Sequence, residues 1–116
     1  MLRTFLKAKI QRARVTETNL YYEGSITIDA QLMQAADILP GEKVEVLNFN
    51  NGQRLETYAI KGKPGSGSIC LNGPASRSAS IGDEVAIVSY VLVDEQEAKS
   101  ITPKIISVNE RNQIKD

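Results

Sequence analysis

The dipeptide Gly24-Ser25, within Tyr22-Glu23-Gly24-Ser25-Ile26-Thr27-Ile28-Asp29, offers electrophilic chemistry to a chain that has no histidine. When such a peptide bond is strained, the serine hydroxyl can attack the preceding carbonyl and turn the amide into an ester. Elimination then leaves a new chain that begins with a pyruvoyl group, and its ketone is an electron sink. Gly24 suits the first step, because glycine takes positive φ or strained conformations and its missing Cβ leaves room for the hydroxyl to reach the Gly24 carbonyl. Taken alone, Gly-Ser is a common turn dipeptide, so the reading depends on what accompanies it. Thr57 offers a hydroxyl that can polarise the Gly24 carbonyl during the shift. Arg54 can hold a carboxylate bidentately, and Lys9 adds a second positive charge. With histidine absent, the phenol of Tyr58 is the leading general acid.

Those groups must be positioned by a small domain. The chain has 116 residues, enough for one domain with a modest core. Lys plus Arg and Asp plus Glu are both 14, so no net field draws in nucleic acid or an acidic membrane. A phosphate-gripping module built on Lys7, Lys9, Arg12 and Arg14 is the rival reading, and only 5% aromatic residues argue against it. The single cysteine, Cys70, cannot form an internal disulfide, and no apolar leader separates Arg3, Lys7 and Lys9. Val85 to Val93 is too short to span a bilayer, which points to a cytosolic protein. Without histidine, a Ser-His-Asp hydrolase and histidine zinc sites are excluded.

Periodicity places the candidates on strands. Leu2 to Val15 alternates, with Leu6, Ala8 and Ile10 opposite Lys7, Lys9 and Gln11, and its phase slips near Arg12 as at a bulge. Thr16 to Asn19 reads as a turn, and Ser25 to Ile28 as a strand with Ser25 and Thr27 on one face. Asp29 caps an amphipathic helix of about three turns through Leu32, Met33, Ala36 and Leu39, stopped by Pro40-Gly41. Val44 to Val46 and Arg54 to Ile60 form a hairpin about Asn50-Asn51-Gly52, with Arg54, Glu56 and Tyr58 on one face. Strands at Ser68 to Leu71, Glu84 to Tyr90 and Ile105 to Val108 follow. Asn72-Gly73-Pro74 is a turn, Asp94 to Ser100 a helical turn or two, and residues 110–116 a frayed tail. Many short strands and one main short helix predict a small, mostly-β barrel.

Tyr22-Glu23-Gly24-Ser25, Asn51-Gly52, Arg54 with Thr57-Tyr58, Asn72-Gly73 and Gly82-Asp83 stand in the order and spacing of one family. Over nearly its full length, the chain resembles the pyruvoyl-dependent aspartate 1-decarboxylases. The resemblance implies a double-psi β-barrel assembled as a homotetramer with sites between neighbouring subunits. It implies one domain, 1–116, self-cleaved into 1–24 and 25–116, with Ser25 becoming the pyruvoyl group and Gly24 a new C-terminus. L-aspartate would then form a Schiff base on the pyruvoyl group and lose its α-carboxylate, giving β-alanine for pantothenate and coenzyme A. No metal or diffusible cofactor is implied, and the need for a maturation helper protein is left open. Thr57 is assigned to processing. Lys9, Arg54, Thr57, Asn72, Gly73 and Ala75 are assigned to substrate binding, Tyr58 to proton donation, and Tyr22 is a candidate for shaping the pocket. A close analogue of aspartate remains open as substrate. Gln11 stands where many members have histidine, and Pro74, where alanine is common, lacks a backbone N–H.

Overall fold

Residues 1–115 are described by a computed structural model. Eight strands and two short helices follow in the order β1 (Arg3–Arg14), β2 (Glu17–Asn19), β3 (Ser25–Asp29), α1 (Ala30–Ala36), β4 (Lys43–Asn48), β5 (Arg54–Gly62), β6 (Ile69–Asn72), β7 (Glu84–Val93), α2 (Glu95–Ala98) and β8 (Lys104–Ser107). A 3₁₀ turn, Gly73–Ser78, links β6 to the segment before β7. The strands hydrogen-bond in the order β2-β6-β3-β5-β4-β7-β1-β8. Three of the pairs are parallel: β2 with β6, β3 with β5, and β1 with β8.

This order closes on itself. Only Val15 and Thr16 separate β1 from β2, so one path of chain runs beside β7 and then beside β6. Val15 N donates to Asp83 O at 3.0 Å, and Thr16 N donates to Ile69 O at 2.9 Å, which hands the strand from one neighbour to the other. The bulge expected near Arg12 makes the bend: the β1–β7 register shifts between Ile10 and Ala13, and Arg12 has φ 63°. A closed sheet has no free edge there and encloses its apolar faces. Ile10, Ile26, Ile28, Leu32, Ile69, Leu71 and Ile87 are all under 2% exposed inside it. Each such side chain contributes about 1.5–3 kcal/mol through burial.

Asp29 caps α1 as expected, and it does more. Its carboxylate accepts from Gln31 N at 2.8 Å, Gly65 N at 3.0 Å and Gly67 N at 2.9 Å, so it also ties down the loop after β5. The helix itself is seven residues, shorter than the three turns predicted. Asp37 adopts φ 58° and Ile38 N donates back to Met33 O at 2.9 Å, a left-handed ending that turns the chain before Leu39. Pro40 disfavours helical backbone at Leu39, so Ile38 takes the buried place and Leu39 is left exposed.

Three other expectations change. Glu17–Asn19 is a strand and not a turn, because Cys70, Leu71 and Asn72 pair with it. Asn72-Gly73-Pro74 opens a 3₁₀ turn, with proline near its start where a missing N–H is tolerated. The tail is not frayed over the described residues. Asn112, 2% exposed, accepts from Arg14 N at 2.7 Å and donates to Arg14 O and Gly67 O, both at 2.8 Å.

Candidate active site

Strand β6 organises the site from beneath. Asn72 ends it, 4% exposed, and pairs with Asn19 of β2 on one side and Ser25 of β3 on the other. Its side-chain amide donates to Ser25 Oγ and to Thr27 Oγ1, both at 3.0 Å. Its Oδ1 accepts from Cys70 Sγ at 3.1 Å. Burial, and then the charge of Glu17, push the Cys70 thiol up to about 11, so it stays protonated near neutral pH and remains a donor. That donation orients the amide: the NH₂ group faces the two hydroxyls. Ser25 Oγ therefore accepts from Asn72 and gives its own proton to Glu23 O at 3.2 Å. The Ser25 side chain is fully buried, on the same face as Thr27, as its alternation predicts.

Strand β5 supplies the other wall. Ile26 lies beside Ala59 in the parallel β3–β5 pair, and continuing that register brings Ser25 alongside Tyr58 and Gly24 alongside Thr57. Gly24, Leu55, Glu56, Thr57, Tyr58, Pro74, Ala75 and Ser78 line an open cleft of about 410 Å³. The cleft brings together Gly24, Thr57, Tyr58 and Ala75. Ser25, the next residue after Gly24, is buried with Asn72 and does not line the cleft.

Lys9 and Arg54 are not in it. Lys9 pairs with Val88 and Ile105, and β1 lies three strands from β5, about 14 Å along the sheet. Arg54 Nη2 donates to Glu45 Oε1 at 2.8 Å on the next strand, and this partner pushes the guanidinium pKa further up. Tyr22 contributes no wall to the cleft, and its ring is half exposed. Gln11 donates to Ser107 Oγ at 3.2 Å, on the β8 side of β1.

The glycine expectation is also revised. Gly24 is not in the left-handed region, and a Cβ built on it would sit 3.6 Å from Pro74 Cδ, an ordinary contact. Gly73 is the constrained one, with φ +64° and a Cβ position 2.5 Å from Tyr22 O. Sequence reasoning missed Cys70 and Thr27 as parts of the site. The polar alternation Ser25, Thr27 was a signal for the second of these, because it sets both hydroxyls on the face that Asn72 meets.

The rationally designed mkDPBB_sym_86 protein, known from its crystal structure, superposes with a TM-score of 0.50, over 66% of this chain and 90% of that one. Identity is 16%, so the likeness speaks for the fold alone: a double-psi β-barrel. Sequence relatives are nearer. An aspartate 1-decarboxylase of Thermoanaerobacter pseudethanolicus is 57% identical over 97% of this chain and 96% of its own length. One of Pelotomaculum thermopropionicum is 59% identical over 98% and 86%. One of Staphylococcus aureus is 56% identical over 98% and 90%. The family model described as aspartate decarboxylase matches residues 1–115, and with these relatives it shows that the chain belongs to the aspartate decarboxylase family.

Proposed function

We propose that this chain cuts itself between Gly24 and Ser25 and, with the pyruvoyl group so made, converts L-aspartate to β-alanine and carbon dioxide. The single observation that carries the reading is the buried Ser25 hydroxyl, held by Asn72 and one residue along the chain from Gly24, which lines a cleft with Thr57 and Tyr58. The names of the relatives support aspartate as the substrate.

Maturation uses this chain's own atoms. Ser25 Oγ leaves the Glu23 carbonyl and adds to the Gly24 carbonyl carbon, while Thr57 stabilises the developing oxyanion. The Gly24–Ser25 C–N bond breaks, leaving an ester and a free amine at residue 25. Loss of the residue 25 α-proton expels the Gly24 carboxylate. Water then replaces the nitrogen of the resulting enamine, and ammonia leaves. The site fits the product: the cut residue begins β3 and is buried, and the Asn72 amide, which loses Ser25 Oγ with the departing Gly24 carboxylate, is left free to donate to the ketone oxygen that water supplies.

The pyruvoyl group supplies an electron sink for a bound amino acid. Arg54 holds the retained carboxylate, because strong binding of the departing one would stabilise the ground state. Tyr58 returns the proton to the carbon that lost carbon dioxide. Since Lys9 and Arg54 lie outside the cleft of their own chain, they serve the cleft of a neighbouring subunit in a homotetramer. The product would feed pantothenate and coenzyme A synthesis in the cytosol.

Intact mass under denaturing conditions tests the cut. Aged protein should resolve into residues 1–24 and a larger piece lighter than a seryl chain by the mass of ammonia, and should release β-alanine from aspartate. An active, uncut chain would overturn the reading. Assembly is checked separately by sedimentation. The mature protein should run near four copies, and a stable, active monomer would leave Lys9 and Arg54 with no cleft to serve.

A further inference from the structure

Residues 20–24 must cross the end of strand β6. Strand β2 ends with Asn19 paired to Asn72, and β3 begins with Ser25 paired to the same Asn72 from the other side. The connecting segment therefore leaves one flank of β6 and returns on the opposite flank, passing over whatever follows Asn72. Gly73 follows it. Among the described residues, no backbone–backbone hydrogen bond of the turns and loops involves residues 20–24, so contact with the chain below has to hold the crossing in place.

That contact is close. A Cβ on Gly73 would lie 2.5 Å from Tyr22 O, 2.9 Å from Gly24 N and 3.0 Å from Gly24 Cα. All three are backbone atoms, which cannot rotate away as the end of a long side chain would. Gly73 is buried and has φ +64°, so two separate demands select glycine: the left-handed backbone and the absent side chain. Gly52 makes only the first demand. It has φ +75° with nothing within 4 Å of its Cβ position.

We infer that Gly73 is a positioning residue for self-cleavage: its bare Cα is the saddle on which the crossing 22–24 rests, and this sets the Gly24 carbonyl against the Ser25 hydroxyl. The role is distinct from the substrate contact expected of Gly73 from the family resemblance, and it rests on the proposed cut at Gly24–Ser25. A Cβ at position 73 lifts the crossing by the distance needed to relieve a 2.5 Å approach to roughly 3.4 Å, which is close to 1 Å. A misplacement of that size in a reacting pair costs about a hundredfold in rate.

Four variants separate this from a general glycine effect. Asparagine tolerates the left-handed backbone yet carries a Cβ, so Gly73→Asn isolates the collision from the φ requirement. Gly73→Ala carries both penalties, and Gly52→Ala carries only that of the left-handed backbone. Ser25→Ala provides an uncut reference for thermal stability. Cleaved fraction is followed by intact mass, and folding by the thermal midpoint. Gly73→Asn should fold with a midpoint near that of Ser25→Ala and cleave about a hundredfold more slowly than the parent, while Gly52→Ala cleaves at the parental rate. Cleavage of Gly73→Asn at the parental rate would overturn the inference. So would failure of Gly73→Asn to fold, since Gly73 would then be a folding glycine and nothing more. A parent chain that never cuts would instead remove the self-cleavage reading on which the inference stands.

Discussion

Ser25→Ala is expected to accumulate as one uncut chain with no decarboxylase activity. The substitution removes the only atom that can attack the Gly24 carbonyl from within the next residue, so the loss should be complete. The fold should survive it. Ser25 is fully buried, and alanine leaves no large cavity there. The Asn72 amide loses one acceptor but keeps Thr27 Oγ1 and the Cys70 contact, so the cost is about 1 kcal/mol. Intact mass and a thermal melt report the two outcomes independently. A folded Ser25→Ala protein that still breaks at residue 24 would refute serine-driven cleavage.

Tyr58→Phe should mature normally and then turn over aspartate about 10²–10⁴-fold more slowly, the usual worth of a positioned proton donor. The ring stays on the exposed face of β5, so the cleft keeps its wall. Thr57→Val shows the opposite pattern. It keeps a β-branched side chain in the strand paired with Val44 and removes only the hydroxyl proposed to stabilise the oxyanion at Gly24, so it should stall as precursor. Cleaved fraction and turnover per cleaved chain, measured on both variants, distinguish the two roles. If Thr57→Val matures at the parental rate while Tyr58→Phe remains uncut, the assignments are reversed.

Features set by neighbouring residues were legible in the sequence. Asp29 as a cap, Asn50-Asn51-Gly52 as a hairpin turn, the slip at Arg12 and the shared face of Arg54, Glu56 and Tyr58 all appear where local pattern places them. What was not legible depends on residues far apart. Glu17–Asn19 carries no strand pattern of its own and is extended because β6 pairs with it. Asn112 reads as a polar tail residue, yet it closes the gap between Arg14 and Gly67. The family resemblance named Gly24, Thr57, Tyr58 and Ala75, which line one cleft, and Asn72, which bonds Ser25. It could not show that the steric demand falls on Gly73 and not on Gly24, because that depends on which segment crosses above the end of β6. Nor does any local pattern tell that Arg54 meets Glu45 rather than the cleft within its own chain.

Strand β1 lies wholly within the first 24 residues, yet it sits between β7 and β8 and buries Ala8, Ile10 and Ala13 completely. A cut after Gly24 therefore severs the chain without freeing the shorter piece. It also changes the molecularity of folding. The barrel of a precursor would fold from one chain, whereas that of a cut form would first have to bring two pieces together, beyond any association of whole barrels. Its melting temperature should consequently fall as the protein is diluted, with each tenfold dilution worth about 1.4 kcal/mol against reassembly. A protein cut there would lose the ability to recover from denaturation unaided at low concentration, and its working lifetime would be set by how slowly β1 leaves the barrel.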